Sequence, residues 1–262
     1  ENQSSLLSAA KFDQNYNSQY SYIAKVGYPM GMMYGFIYEG TYKYEDFDKV
    51  GDTYTLKRNV PYFSSESNTQ PGMPKYADLN GDGIIDDNDR TMIGNGMPKH
   101  TGGFTNNFEY KGFDLSIFFQ WSYGNDVLNA NRLFFENSNK TRDLNQYASY
   151  ADRWTPENPE SNIPRATDSG SNKVFSTRII EDGSFLRLKT VSLGYTLPKQ
   201  LTKKWKIDNA RVFVAGQNLW TCTGYSGYDP EVSIREGALT PGLDFSAYPR
   251  AYSISFGVNL GF

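Results

Sequence analysis

The chain is poor in the residues that build covalent and transition-metal chemistry. Its 262 residues include one cysteine, Cys222, and one histidine, His100. A lone cysteine excludes an intrachain disulfide framework and a cysteine-based zinc cluster, so we expect Cys222 to be a neutral, packed or wall-facing thiol. A lone histidine is a poor candidate for a catalytic triad or a metal centre, and we expect His100 to be a loop side chain at the mouth of a strand.

Three further absences narrow the class of protein. The formal net charge is −3, and no basic block of the kind that binds nucleic-acid phosphates is present. No apolar run approaches the ~18 residues of a transmembrane helix, because the most apolar stretch, 28–38, is interrupted by Pro29, Gly31 and Gly35. Nucleophile-elbow, P-loop and zinc-protease motifs are all missing. The sequence therefore predicts a protein that is not an enzyme.

Aromatic residues and glycine are abundant. The chain contains 20 Tyr, 17 Phe and 4 Trp together with 24 Gly. Aromatic residues are enriched in β-strands, so the composition favours an all-β fold. Composition does not distinguish a β-protein in water from one in lipid, and the pattern along the chain has to decide between them.

The clearest pattern is an alternation at the end of the sequence. One parity is wholly apolar and consists of Tyr252, Ile254, Phe256, Val258, Leu260 and Phe262. The intervening residues, from Ala251 to Gly261, are all small or polar. Since successive side chains of a strand point to opposite faces, we predict a strand whose apolar parity faces lipid.

Weaker alternations mark other strands. The remaining strand candidates are 20–28, 104–110, 113–121, 190–197 and 210–220. Asn106 interrupts one apolar face, the segment 210–220 is ambiguous because three apolar residues run together, and 20–28 is the weakest candidate. Alternating strands of about ten residues are typical of membrane barrels. A soluble sandwich alternates too, but its strands are nearer five or six residues.

The connections between these strands alternate between short and long. The link at Lys111-Gly112 is very short and 198–207 is modest, whereas the other connections are long. An outer-membrane barrel carries short turns at one rim and long loops at the other, so the alternation favours a barrel. We expect the segments 41–51 and 126–154 of the long connections to hold short helices.

The acidic segment 78–89 fits the twelve-residue calcium-loop template. The template places oxygen ligands on Asp78, Asn80, Asp82, Asp86 and Asp89, and on the carbonyl group of Ile84. We predict a structural Ca²⁺ ion that pins an external loop, although Asp89 replaces the usual bidentate glutamate and indicates weaker binding or a shifted geometry. The alternative is an acidic turn held by side-chain hydrogen bonds without an ion.

Five aromatic residues in the long connections are candidates for contact with a substrate or a lid protein. They are Tyr147, Tyr150, Trp154, Tyr225 and Tyr228. Their rings could stack on a sugar or a peptide. The alternative is a role in loop packing or in an interfacial girdle, because barrels place aromatic residues at both membrane interfaces.

Several stretches, taken in order from residue 20 onward, carry a family resemblance. They are KVGYP (25–29), YGFIYEG (34–40), the acidic loop 78–90, RWTPENP (153–159), IPR (163–165), FLRLK (185–189), VSLGY (191–195), GQNL (216–219), GYDPE (227–231) and FGVNLGF (256–262). In this order they resemble the C-terminal portion of SusC/RagA-type TonB-linked outer-membrane transporters of Bacteroidetes.

The resemblance implies a fold, a location and partners. The fold would be an antiparallel transmembrane β-barrel segment with long extracellular loops, part of a barrel of about 22 strands in the outer membrane of a Gram-negative cell. Such TonB-dependent receptors import oligosaccharides or peptides with a SusD-like lipoprotein as lid, and TonB in the inner membrane powers them.

The resemblance covers only the end of a family member. Residues 1–262 would supply about six strands, while the signal, the TonB-contacting segment, the plug and most of the barrel are absent. We interpret the chain as a fragment with two open sheet edges, which would aggregate, oligomerise or fold only partly when expressed alone. The alternative is a secreted soluble β-domain with structural calcium, such as a carbohydrate-binding module, and a hydrolase is a remote third interpretation.

Overall fold

The fold is described from a computed structural model and consists of two compact units. The structure describes residues 6–10, 21–137, 145–166, 174–234 and 237–262. Its secondary structure is predominantly β, as the composition predicted. The loop unit comprises 1–97, 126–181 and 233–247, and the sheet unit comprises 98–125, 182–232 and 248–262.

The described residues form eighteen strands, most of them short. The first ten are β1 (Leu6–Ala10), β2 (Tyr22–Lys25), β3 (Met32–Gly35), β4 (Tyr38–Thr41), β5 (Phe47–Val50), β6 (Thr53–Leu56), β7 (Tyr62–Phe63), β8 (Pro74–Tyr76), β9 (Ile84–Ile85) and β10 (Thr91–Asn95). The others are β11 (His100–Tyr110), β12 (Phe113–Tyr123), β13 (Asp126–Asn129), β14 (Ile180–Asp182), β15 (Phe185–Thr196), β16 (Asn209–Thr223), β17 (Leu243–Asp244) and β18 (Ser253–Gly261).

The helices are short. In the part of the chain that the structure describes, the α-helices are α1 (Asn131–Phe135) and α2 (Lys199–Thr202), and the 3₁₀ turns are Tyr44–Asp46, Glu66–Asn68, Asp87–Asp89, Ala148–Asp152, Thr177–Ile179 and Lys203–Trp205. The short helices predicted in 41–51 and 126–154 are therefore confirmed. Across the described ranges, no helix combines the length and apolar character needed to cross a membrane.

The sheet unit is a meander of five long strands. Their order in the sheet is β11-β12-β15-β16-β18, and every pairing is antiparallel. The strands are nine to fifteen residues long, longer than those of an ordinary sandwich. Five of the six strand candidates lie in this sheet. Their sequences alternate because successive side chains of a strand point to opposite faces, and the two faces of this sheet differ chemically.

The backbone conformation of the turn between β11 and β12 is explained by its two residues. Lys111 and Gly112 both have positive φ, 48° and 88°, and Tyr110 pairs with Phe113 across the turn. A two-residue hairpin with positive φ at both positions matches the twist of the flanking strands. Glycine adopts that conformation without strain, which fixes the register of the hairpin.

Irregular pairing explains why β16 is ambiguous in sequence. The pairing of β15 with β16 shifts between Leu188 and Thr190, and Asn218 has a positive φ of 51°, as at a β-bulge. The apolar run 212–214 does not break the alternation, because the ring of Phe213 lies where a side chain on Gly257 would be. Phe213 thus covers a glycine on the polar face.

The sixth strand candidate lies elsewhere in the fold. The segment 20–28 contributes only β2, a four-residue strand in the β1-β2-β3-β10 sheet of the loop unit. Gly27, at a φ of 87°, follows the strand closely, and a positive φ is incompatible with continued extended pairing. The described chain thus contains five long strands in place of the six predicted.

The loop unit is built from small sheets around separate apolar clusters. Besides the β1-β2-β3-β10 sheet it contains β14-β13-β17, β4-β8, β5-β6 and β7-β9. The largest apolar cluster consists of Tyr22, Met33, Leu128, Ala130, Leu133, Phe175, Ile179 and Leu243. Because the long connections bury an apolar cluster of their own, they form ordered structure. Long loops with such order often carry function.

Candidate functional site

The first candidate site is the apolar face of the sheet unit. In the register of β16 with β18, Val212, Val214 and Gly216 stand opposite Val258, Phe256 and Ile254. Directly paired residues share one face of a sheet, so the apolar parity of β18 continues onto β16. The face then extends across the other three strands through Leu193, Tyr195, Leu115, Phe113, Phe108 and Tyr110.

The predicted lipid-facing residues are all exposed. The exposed fractions of Tyr252, Ile254, Phe256, Val258, Leu260 and Phe262 range from 51% to 86%. A contiguous exposed apolar face of this extent marks a surface that contacts a partner or lipid. The register shows that these side chains share one face of the sheet with the apolar residues of β16. That this face contacts lipid is a proposal.

The opposite face is small and polar, and it carries an ion pair between non-adjacent strands. Asp114 on β12 and Arg211 on β16 form a bidentate pair, with Arg211 Nε donating to Asp114 Oδ1 at 2.8 Å. Gly194 on β15 lies between them, and any side chain there would overlap both charged groups. Glycine at this position therefore lets the pair form across the intervening strand.

A buried charge network ties a long connection to the sheet. Arg187 on β15 is 2% exposed, and its Nη2 lies 2.5 Å from Asp229 Oδ1 while its Nη1 lies 3.2 Å from Glu231 Oε2. Lys189 and Arg250 also pair with Glu231, at 3.6 and 3.1 Å. The segment that follows β16 is thus held by charge-assisted hydrogen bonds.

The carboxyl group of Asp229 is held in its charged form. Burial alone raises its pKa, but backbone N–H groups of Glu231 and Arg250 and the guanidinium of Arg187 all stabilise the carboxylate, and together they lower the pKa below its usual range. The hydrogen bond from the amide of Glu231 measures 2.9 Å and that from Arg250 measures 3.1 Å. Favourable donors outweigh desolvation at this site.

The attachment of this segment is expected to be lost only at strongly acidic pH. Because the folded pKa of Asp229 is depressed, its stabilising effect is complete above the unfolded value of about 3.9 and disappears as the pH falls through the lower folded value. Hydrogen exchange of 224–234, corrected for its intrinsic pH dependence, should be constant between about pH 8 and 5 and accelerate below that window. The Asp229→Asn variant should lack this acidic transition, and an unchanged transition in that variant would assign it to another group.

The acidic segment forms a tight hydrogen-bonded turn. Asp78 accepts backbone N–H groups of Gly81 and Gly83 at 2.7 and 2.8 Å. Asp89 is fully buried and accepts the amide of Asp86 at 2.8 Å. The other template ligands, Asn80, Asp82, Ile84 and Asp86, are exposed. Within the described ranges, no group of three or more His, Cys, Asp or Glu residues is arranged to hold a metal ion. The turn matches the ion-free alternative, and the calcium site stays a prediction.

Calcium binding to the acidic segment can be measured directly. If the template binds Ca²⁺, saturating calcium at a hundredfold excess over the dissociation constant should stabilise the folded state by about 2.7 kcal/mol, and EGTA should reverse this. The Asp82→Ala variant should abolish the effect, because it removes a template ligand. Asp87→Ala is the matched control, since Asp87 lies in the segment outside the ligand positions. Identical stability with calcium and with EGTA would favour the ion-free turn.

The loop aromatics have different environments. Tyr150, Trp154 and Tyr225 are buried, Tyr147 is half-buried, and Tyr228 is 84% exposed. Burial of three of the five favours loop packing for those rings. Tyr228 keeps a free surface for contact, and Trp154 also lines a pocket in the loop unit.

The remaining single-copy residues occupy the sheet unit. His100 begins β11, accepts a hydrogen bond from the indole of Trp121 at 3.1 Å and stacks on Tyr123. Cys222, in β16, is exposed and free. Its pairing with Leu186 places it on the apolar face, as expected of a wall-facing thiol.

Sequence reasoning missed both ion-pair sites. Asp114 and Arg187 each occupy the polar parity of a long strand, and a charged side chain at such a position was the only available signal. Their partners lie far away in sequence, Asp229 by 42 residues and Arg211 by 97. The register of the folded sheet brings Asp114 and Arg211 together, whereas the return of the connection after β16 brings Asp229 to Arg187.

The sheet unit defines the class of protein. A meander of long antiparallel strands, apolar on one face and small or polar on the other, is a strip of the wall of a transmembrane β-barrel. The predicted fold class is therefore confirmed. The class alone does not say which kind of barrel the strip comes from.

Comparison with known proteins identifies the kind of barrel. The chain is 34% identical to TonB-dependent receptor P3 of Formosa agariphila over 92% of its own length and 23% of that receptor. It is 28% identical to TonB-dependent receptor SusC of Bacteroides thetaiotaomicron over 75% of the chain and 18% of SusC. A solved structure of the RagAB peptide transporter matches with a TM-score of 0.70 and 26% identity, over 92% of this chain and 24% of that one. No family model matches the chain.

The chain is homologous to part of the SusC/RagA-type TonB-dependent receptors, which confirms the resemblance in its sequence. It spans about a quarter or less of the length of these relatives. The relatives are receptors and transporters, so the prediction that the chain is not an enzyme is also confirmed.

Proposed function

We propose that the chain forms part of the barrel wall and the outer loops of a TonB-dependent importer in the cell outer membrane. The observation that carries the proposal is the predominantly apolar face that extends across five long strands, opposite a mostly small and polar face. Homology to TonB-dependent receptors supports it independently. The apolar face would contact lipid and the polar face would line the lumen.

The substrate class and partners extend this proposal. By its resemblance to SusC/RagA-type transporters, the receptor would import oligosaccharides or peptides together with a SusD-like lipoprotein and draw energy from TonB. The similarity to SusC and to a peptide transporter supports this class of substrate. Residues 1–262 would supply wall strands and external loops, including the acidic segment, while the plug and the remaining strands would come from outside this chain.

Localisation and uptake test the proposal together. Membrane fractionation should place the receptor in the outer membrane, where carbonate washing does not extract it but detergent does. Deletion of the receptor should abolish uptake of its oligosaccharide or peptide substrate, and collapse of the proton gradient should abolish uptake in the intact strain. Recovery of the receptor in a detergent-free soluble fraction would contradict the proposal.

A further inference from the structure

The connection between β15 and β16, residues 198–208, is strongly basic in a chain whose formal net charge is −3. It consists of α2, the 3₁₀ turn Lys203–Trp205 and a few flanking residues. Asp208 is its only acidic residue. No described acidic group forms an ion pair with the lysines of this connection, and all of them are exposed: Lys199, Lys203, Lys204 and Lys206.

Two large apolar side chains are exposed among these lysines. Leu201 is 47% exposed and Trp205 is 62% exposed. An indole ring combines an apolar body with a polar N–H tip, and the stems of lysine side chains lie along apolar surface while their charges stay in water. Basic segments that expose leucine and tryptophan are typical of the boundary between lipid headgroups and acyl chains.

The connection lies at the rim of the sheet that carries the short turns. The amide of Thr196, at the end of β15, donates to the carbonyl of Gly112 in the β11–β12 turn at 2.7 Å. At the other end of the connection, the amide of Asp208 donates to the carbonyl of Gly261 at 2.8 Å. The basic connection therefore shares one rim with the two-residue turn and with the end of β18.

The apolar face ends at this rim in exposed aromatic rings. They are Tyr110, Phe113 and Phe262, which are 70%, 52% and 86% exposed. Membrane barrels carry such rings where the wall passes from hydrocarbon to headgroups. The connection packs back on the sheet here, because α2 contacts β16 and Ala210, on the apolar parity of β16, is only 6% exposed. The basic segment thus borders the apolar face.

Anionic phospholipids complement both kinds of side chain in the connection. Outer-membrane barrels place their short turns on the periplasmic side, where the leaflet consists of phospholipids. A lysine close to an anionic lipid surface contributes about fivefold to binding, and the hydrocarbon beneath the headgroups accommodates leucine and tryptophan. An acidic soluble protein would match the charge, but it would not account for the position of Leu201 and Trp205 beside the aromatic rim.

We propose that the β15–β16 connection binds the phosphate headgroups of anionic phospholipids in the periplasmic leaflet. Its four lysines contact the phosphates, while Leu201 and Trp205 enter the boundary with the acyl chains. The inference rests on the proposed function, because it requires the sheet to be part of an outer-membrane barrel. It adds a specific lipid partner to that function.

Lipid selectivity beside the connection tests the inference. The complete receptor, with Cys222→Ser and any other cysteine replaced by serine, carries a nitrobenzoxadiazole fluorophore at Gln200→Cys in nanodiscs of phosphatidylcholine. Trace phosphatidylglycerol or phosphatidylcholine, each with a spin label near the headgroup, quenches the fluorophore. The association constant for phosphatidylglycerol should exceed that for phosphatidylcholine at least about fivefold. Added salt should reduce this preference, because it screens the charges.

A pair of double variants assigns the preference to the lysines. Lys203→Gln with Lys204→Gln should lower it by a factor of at least about three. Lys49→Gln with Arg58→Gln is the matched control, because it removes the same charge from exposed side chains of the loop unit, and it should leave the preference unchanged. Heat-modifiable migration in gel electrophoresis verifies that each variant is a folded barrel.

Three results would overturn the inference: equal association of the two lipids, weak quenching by both, or equal loss of the preference in the two double variants. Weak quenching by both lipids is the result expected if a soluble protein covers the connection. A receptor that enters the outer membrane and mediates uptake, but shows no preference for phosphatidylglycerol, would remove only the lipid site. Recovery of the receptor without detergent in a soluble fraction would count against the importer itself.

Discussion

Replacing Phe256 with arginine is expected to destabilise the protein in lipid by about 2–4 kcal/mol, the cost of a charged side chain near the midplane of a barrel wall. Phe256 is 82% exposed at the middle of β18, so the substitution creates no cavity in a protein core. The cost would come from contact of the guanidinium with hydrocarbon. Denaturant-induced unfolding in lipid vesicles measures the change in free energy.

Ser255→Arg is the matched control for the lipid-facing assignment. Ser255 is the neighbouring residue on the same strand, is also exposed, and points to the polar face. Its replacement should change the free energy of unfolding by only about 0.5 kcal/mol. Equal costs at the two positions would show that the apolar parity of β18 does not contact hydrocarbon.

Replacing Arg187 with methionine is expected to cost about 3–5 kcal/mol, because removing one partner of a buried pair leaves the other charge uncompensated. The uncompensated group is Asp229, which is 4% exposed. Methionine retains most of the length of the side chain, so the loss measures charge and hydrogen bonding more than packing. The free energy of unfolding of the receptor in lipid vesicles reports this cost.

Lys189→Met separates the buried contact from general loss of positive charge. Lys189 is half-buried and reaches Glu231 at 3.6 Å, so its removal should cost less than about 1 kcal/mol. Combining Arg187→Met with Asp229→Asn should recover part of the loss, since the buried carboxylate is then absent. A cost for Arg187→Met no larger than that for Lys189→Met would mean that the network does not secure the segment.

The sheet was predictable from sequence wherever its pairing is regular. The alternation of 251–262 predicted β18 (Ser253–Gly261) closely, and that of 113–121 predicted β12 (Phe113–Tyr123). The ambiguity of 210–220 has a physical cause. Phe213 lies on the polar face over Gly257. Its apolar character in the sequence therefore does not indicate which face of the strand it occupies.

The candidate sites were less accessible to sequence reasoning than the strands. The acidic segment is local, so its spacing could be compared with a template, although the spacing could not distinguish a metal site from a hydrogen-bonded turn. The contact of Arg187 with Asp229 depends on the return of a long connection to the sheet, and the pocket in the loop unit depends on Tyr44 meeting Trp154. A repeating pattern in the sequence does not predict such contacts, because tertiary packing brings the residues together.

The ion pair between Asp114 and Arg211 opposes sliding of β15 along its two neighbouring strands. Because the two residues belong to strands on either side of β15, the pair fixes three strands against one another. A displacement of β15 by two residues would bring Ser192 or Thr196 into the place of Gly194 and force a side chain between the charged groups. Gly194 thus marks the alignment of the three strands at which the pair forms over a residue without a side chain.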